Sequence, residues 1–330
     1  MNPMPAQEPP IPAAIRDQAI AWFTLAQSGE MSTQEHLHLQ QWRQADPDHE
    51  RAWQRLAGIP RQLQQQAQLL NSPVARNALQ QTRTVNRDRR QLLKALAGLG
   101  LFGASAWQAR DSLWLQGALA DYRTGTGERQ HHTLADGTQI WLNTRTALDV
   151  RFSATERQLL LRQGELDILS SQDTAGRPLQ VYTAEARLRP LGTRFMVRSD
   201  NNGSGTLLAV SSGQVAAMPI SEVGEQVIHS GQQTRIDRFG VATPQALDPN
   251  ASAWIDGLIV AQRMRLGDFI AQLSRYHVGI LRCDPAVAGL YLTGSFPLND
   301  IERIFTLLEK SLPVHLQRRT PYWITVTARA

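Results

Sequence analysis

Cysteine is nearly absent: Cys283 is the only one in 330 residues. No intrachain disulfide is available, so any extracytoplasmic part must hold together by burial and hydrogen bonding alone. The chain has no CxxC, HExxH, GxGxxG or GxxxxGK[ST] pattern, which removes the common zinc, dinucleotide and P-loop chemistries. No His/Ser/Asp set or carboxylate pair has a catalytic spacing, and His131-His132 reads as an exposed strand pair. His36, His38 and His49 stand among polar neighbours with no Cys nearby, so they read as surface residues. No metal and no cofactor is expected.

A concentrated basic surface is missing too. The net charge is +5, but residues 1–80 carry slightly more Asp and Glu than Arg. Phosphate contacts supply most of the affinity for DNA, so direct nucleic-acid binding is not expected there. The alternative, a membrane-anchored one-component DNA-binding regulator, needs a basic recognition helix. Arg43, Arg51 and Arg55 are instead interleaved with Asp46, Asp48 and Glu50.

Long hydrophobic runs are scarce. Only residues 89–109, within RRQLLKALAGLGLFGASAWQAR, are apolar enough to be considered for crossing a bilayer. The uncharged part spans about 22 Å at ~1.5 Å per residue, short of the ~30 Å hydrocarbon core. A buried helix of a soluble protein is the competing reading. Arg83, Arg87, Arg89, Arg90 and Lys94 precede the run, and only Arg110 follows before Arg123. That asymmetry predicts a single transmembrane helix with the N-terminus in the cytoplasm. Arg89-Arg90 also resembles a twin-arginine export motif, although Asp88 departs from it.

What is there falls into blocks. Residues 1–12 are Pro-rich and read as a disordered arm. Residues 13–60 predict an all-α bundle: Ile15, Ala19, Trp22, Phe23 and Ala26 share a helical face, Ser32 and Glu35 form a capping box, and Asp46-Pro47 opens a third helix. Residues 61–88 are a Gln-rich linker. Residues 120–245 alternate in short apolar pieces separated by turn signals such as Asp136-Gly137 and Gln163-Gly164, predicting an all-β sandwich or short solenoid. Residues 250–330 predict a small α+β module with helical faces at Leu266–Tyr276 and Ile301–Leu312. The chain is thus expected to be multidomain.

Three ordered pieces carry a family resemblance. Trp42-Arg43-Gln44-Ala45-Asp46-Pro47-Asp48-His49-Glu50-Arg51-Ala52-Trp53 is similar to the end of an anti-sigma segment. Asp136-Gly137-Thr138-Gln139-Ile140-Trp141-Leu142-Asn143, Gly164-Glu165 and Leu191-Gly192-Thr193-Arg194-Phe195 resemble the β-domain signature of FecR-like sigma-factor regulators. Tyr276, Asp284, Gly294-Ser295-Phe296 and Asn299-Asp300 resemble the short secretin and TonB N-terminal (STN) domain. The resemblance implies a single-pass inner-membrane protein with periplasmic β and STN-like domains. It also implies two partners: an extracytoplasmic-function, iron-starvation sigma factor in the cytoplasm, and the periplasmic signalling domain of an outer-membrane TonB-dependent siderophore receptor.

Within that frame Trp22, Phe23, Trp42 and Trp53 are candidates for the sigma-factor contact, because so small a bundle cannot bury every aromatic. Core packing is the competing role for Trp22 and Phe23. Leu266, Phe269, Tyr291, Phe296 and Tyr322 are candidates for the receptor contact, with ordinary packing again the competitor. The family is not enzymatic, but several relatives are cut at the matching Gly-Thr bond, so self-cleavage at Gly192-Thr193 is considered beside a plain turn at Gly192.

Overall fold

In the structure, a computed structural model, the described residues are 11–28, 31–57, 119–199, 204–222, 224–320 and 322–329. They fold as two compact units, Met1–Asp121 and Tyr122–Ala330.

The first unit contains α1 (Ala13–Ser28), α2 (Thr33–Ala45) and α3 (47–57). Its helix starts follow from side chains that satisfy free backbone donors. The Ser32 amide donates to Glu35 Oε2 at 2.7 Å, and the Glu35 amide donates back to Ser32 Oγ at 3.3 Å, closing the capping box. Asp46 Oδ1 accepts the Asp48 amide at 2.7 Å ahead of α3, where Pro47 has no amide to lose. The core consists of Ile11, Ala19, Ile20, Phe23, Ala52, Leu56 and Leu119, with Ile15, Trp42 and Trp53 packed at its margin.

The second unit is organised by one long strand, Arg157–Leu169. Its first half pairs antiparallel with Ala147–Phe152 and parallel with Leu179–Tyr182. Its second half pairs antiparallel with Gln139–Leu142 and with Arg194–Ser199. One sheet continues through Ala186–Pro190, Gln214–Pro219 and Gln226–His229, and the other through Thr206–Ser212, Gln232–Asp237 and Gly240–Val241. Leu159, Leu161, Leu166 and Ile168 all point from the shared strand into the single apolar core of this β domain.

The strand changes sheets at Gly164, where φ is +94°. A Cβ there would overlap Thr146 and sit 2.8 Å from the Arg145 carbonyl oxygen, so both backbone conformation and space require glycine. Before the bend, burial alternates. After it, Glu165 and Asp167 are buried as fully as Leu166 and Ile168, so both faces of the strand are covered.

The cover is the C-terminal module. Leu258–Arg265 pairs antiparallel with Tyr291–Pro297, and Ile280–Cys283, Trp323–Ala328 and Val314–Thr320 form a three-stranded sheet in that spatial order. Helices α4 (Leu266–Ser274), α5 (Pro285–Ala288) and α6 (Ile301–Ser311) complete it. Phe269, Leu273, Ile304, Phe305 and Leu308 pack with Leu281, Leu316, Ile324 and Val326 in a second apolar core. The N-cap of α6 is Asp300, whose Oδ1 accepts the Arg303 amide at 2.9 Å.

The single-span architecture is corrected by the structure. Among the described residues no helix is long and apolar enough to cross a membrane. That finding overturns the expected transmembrane helix and, with it, the single-pass inner-membrane placement. Residues 89–109, including Arg89 and Arg90, and the linker 61–88 lie outside the described residues. The physical weakness of the expectation was length: an uncharged run of about 22 Å falls ~8 Å short of the hydrocarbon core.

Candidate functional site

Within the second unit, the β domain and the C-terminal module meet across a buried polar network centred on Glu165, just past the bend. Glu165 Oε2 accepts from Arg275 Nη1 at 2.6 Å and from Asn143 Nδ2 at 2.9 Å. The same Asn143 nitrogen donates to the Tyr276 hydroxyl at 2.8 Å. Asn143 is fully buried, and Glu165 is 2% exposed. A buried carboxylate is tolerated only when paired and hydrogen-bonded, and this one is both. Burial, followed by the nearby Glu165 charge, pushes the Tyr276 phenol up to about 12, so it stays protonated across the physiological range.

Further contacts extend the seam. Asp167, fully buried, accepts from Arg194 Nε at 2.9 Å and from Ser252 Oγ at 2.7 Å. Arg129 Nη1 donates to the Trp254 carbonyl at 2.7 Å. Thr144 Oγ1 donates to the Arg275 carbonyl at 3.2 Å, and Arg145 Nη2 to the His277 carbonyl at 3.1 Å. Trp141, on the β domain, packs against the apolar core of the module and carries Arg194 over its ring at 5.2 Å. Arg145 adopts φ +53°, a left-handed conformation rare for a non-glycine residue and held by contacts on both sides. Beside the seam opens a cleft of about 770 Å³, lined by Thr144, Arg145 and Arg198 on the β domain and by Met264, Gln272 and Arg275 on the module.

The motif residues therefore divide by role. Asp136-Gly137-Thr138 is a turn: Asp136 accepts the Thr138 amide and hydroxyl at 3.0 and 2.7 Å, Gly137 has φ +83°, and Arg157 forms a buried ion pair with Asp136. Trp141, Asn143 and Glu165 instead face the module. Their partners Arg275 and Tyr276 lie more than a hundred residues away, beyond the reach of any local pattern.

The expected contact residues are placed unevenly. In the first unit Trp22, Trp42 and Trp53 are half-buried, whereas Phe23 is 4% exposed and belongs to the core, edge-on to Trp53 at 6.1 Å. Trp42 is held by a 2.8 Å hydrogen bond from Nε1 to Gln18 and by stacking on His49 at 4.4 Å. In the module Leu266, Phe269 and Phe296 are buried core residues, Tyr291 is 58% exposed and Tyr322 half-buried. Trp323–Ala328 is the central strand of its sheet, so the open edge lies elsewhere.

Gly192 has φ +74°, as a turn requires, and its carbonyl oxygen would lie 2.6 Å from a Cβ on Gly213. Ser170 clamps the next residue, accepting the Thr193 amide at 2.8 Å and donating to its carbonyl at 3.0 Å. The Thr193 hydroxyl is buried with no hydrogen-bond partner among the described residues. Among those residues no group of three or more His, Cys, Asp or Glu is arranged to hold a metal ion.

Comparison with known proteins agrees with this anatomy. Residues 120–216 match the family model described as FecR protein, and residues 17–59 match a domain of unknown function, DUF4880. The chain is thus FecR-like over these stretches: a region similar to the FecR family follows one similar to DUF4880. A 1.65 Å crystal structure from Parabacteroides distasonis, provisionally named an anti-sigma factor, is 20% identical. It superposes with a TM-score of 0.53 over 63% of this chain and 99% of its own. A second crystal structure under the same name, at 2.50 Å, gives a TM-score of 0.52 over 63% and 98%. At that identity the likeness speaks for the fold. Among curated proteins none matches the chain.

Proposed function

We propose that this protein is an anti-sigma-type regulator: its N-terminal helices hold an extracytoplasmic-function sigma factor, and its second unit receives the signalling domain of a TonB-dependent receptor that has bound a ferric siderophore. The observation that carries the reading is the union, in one chain, of a DUF4880 helical region with half-buried tryptophans and a FecR domain locked to an α+β module. Half-buried Trp residues beside a small core are typical of surfaces that complete themselves on a partner. The module is suited to reception because the Glu165 network ties it to the β domain, so a partner's push on one is felt by the other. Purification of the full-length chain with its bound proteins tests this. An equimolar sigma factor, lost in the Trp42→Ala, Trp53→Ala double variant, is expected. Retention of the sigma factor in that variant places the contact elsewhere.

Cleavage between Gly192 and Thr193 belongs to the same reading. The Thr193 hydroxyl attacks the Gly192 carbonyl carbon, the C–N bond gives way to an ester, and water hydrolyses the ester to a Gly192 carboxylate and a Thr193 amine. Supporting it are the partnerless buried hydroxyl and the crowded turn. Two fragments on a denaturing gel, with Thr193→Ala intact and Thr193→Ser still cut, are expected. A Thr193→Ala chain cut at the same bond implicates an external protease.

A further inference from the structure

The three-stranded sheet of the C-terminal module has one face built into the apolar core, through Leu281, Ile324, Val326, Val314 and Leu316. Its other face carries Ile280 and Arg282 on one outer strand, Trp323 and Thr325 on the central strand, and Gln317 on the third. Trp323 is half-buried, and two guanidinium groups rest against its ring: Arg282 at 5.6 Å and Arg319 at 5.5 Å. Neither arginine has a carboxylate partner among the described residues. Arg318 by contrast is tied to Glu302 at 2.6 Å.

Apolar surface adjoins the cations. Ile280 is 43% exposed, and Val278, two residues earlier, is 42% exposed. Strand Ile280–Cys283 pairs in parallel with Trp323–Ala328 and with no other strand among the described residues, so its second row of backbone groups is open. An aromatic residue pinned by two preformed cations, beside apolar side chains and an open strand edge, has the composition of an interface centre.

We infer that this face and edge dock an acidic protein partner, which adds a strand alongside Ile280–Cys283 and brings carboxylates to Arg282 and Arg319. Main-chain hydrogen bonds along the edge would supply affinity, and the charges would set register and choice of partner. Two unpaired arginines are too few for nucleic acid, whose affinity rests on many phosphate contacts. The inference rests on the reading of the module as the receiver of a receptor's signalling domain, and it specifies where and through which chemistry that domain sits.

The test titrates the full-length protein with the purified signalling domain of the cognate receptor by calorimetry. The unaltered chain binds, and the affinity falls as salt is raised. Trp323→Ala weakens binding by about tenfold or more, and the Arg282→Glu, Arg319→Glu pair by about a hundredfold. Phe239→Ala, at an exposed turn of the β domain, binds as the unaltered chain does. The charge pair is exposed, so its fold is preserved, which an unchanged melting curve verifies. If the unaltered chain does not bind, the receiver reading fails and the docking site with it. If it binds and both patch variants bind equally well, the docking site alone is overturned. Vesicles of phosphatidylglycerol serve as the control: capture through Arg282 and Arg319 would replace the protein partner with a lipid surface and overturn the proposal.

Discussion

At the seam of the second unit, Arg275 lies 2.6 Å from Glu165 and Arg194 lies 2.9 Å from Asp167. On the outer face of the three-stranded sheet, Arg282 and Arg319 rest on Trp323 with no carboxylate among the described residues. The residue type is the same, and the surroundings assign opposite roles. Where the carboxylate is buried, losing one partner strands a charge in a low-dielectric setting, so Glu165 with Arg275 holds the module to the β domain, while Asp167 with Arg194 fixes the β-domain side of the seam. Where the arginine is exposed and unpaired, losing it costs the fold little, and its charge is available to another molecule.

The sharpest way to break this comparison is at Glu165. Glu165→Ala removes the acceptor for both Arg275 and Asn143 and should destabilise the second unit by ~3–5 kcal/mol, read by denaturant unfolding. Gly164→Ala should cost a comparable ~3 kcal/mol or more, because it adds both a clash and a left-handed strain. If Glu165→Ala proves neutral, the seam does not hold the two parts together; if Gly164→Ala does, the bend does not require glycine.

A smaller effect belongs to Tyr276. Its phenol is raised to about 12, above the unfolded value near 10, so the folded state holds its proton more tightly. That contribution is fully present below pH ~10 and is lost as pH rises from about 10 to 12, a fall of order 2 kcal/mol. Tyr276→Phe should cost about 1 kcal/mol at neutral pH through the lost Asn143 hydrogen bond, and should remove this part of the alkaline fall. Equal alkaline slopes in the two proteins would deny the phenol its place in the network.

The smallest stability effects should come from the outer face. Trp323→Ala sits at a half-buried position and should cost about 1 kcal/mol, and Arg282→Glu should lie within ~0.5 kcal/mol of the unaltered chain. A large loss of stability in Arg282→Glu would show that this face is structural.

Much of the local architecture could be read from the residues. Ser32 with Glu35, Asp46 before Pro47, and Asp136-Gly137 each act within four residues, so their geometry is written locally. The strand Arg157–Leu169 was harder. Gln163-Gly164 reads as a turn between two strands, because a glycine bend within one strand leaves the same signature as a break. The seam was harder still: Asn143 and Glu165 were visible as motif letters, yet their buried partners Arg275 and Tyr276 arrive only through tertiary folding. Helical periodicity at Leu266, Phe269 and Ile270 marks a core face with equal clarity whether the other side is solvent or a partner, so periodicity could not separate packing from recognition.

The central claim is that the N-terminal bundle holds a sigma factor while the second unit acts as one sensing body. Native mass spectrometry of the full-length protein purified from its own cells tests it most directly. The account predicts an equimolar complex with an extracytoplasmic-function sigma factor, lost with Trp42→Ala and Trp53→Ala and retained with Arg282→Glu and Arg319→Glu. A preparation free of any sigma factor, or a complex that survives the tryptophan changes and is lost with the arginine changes, would contradict it.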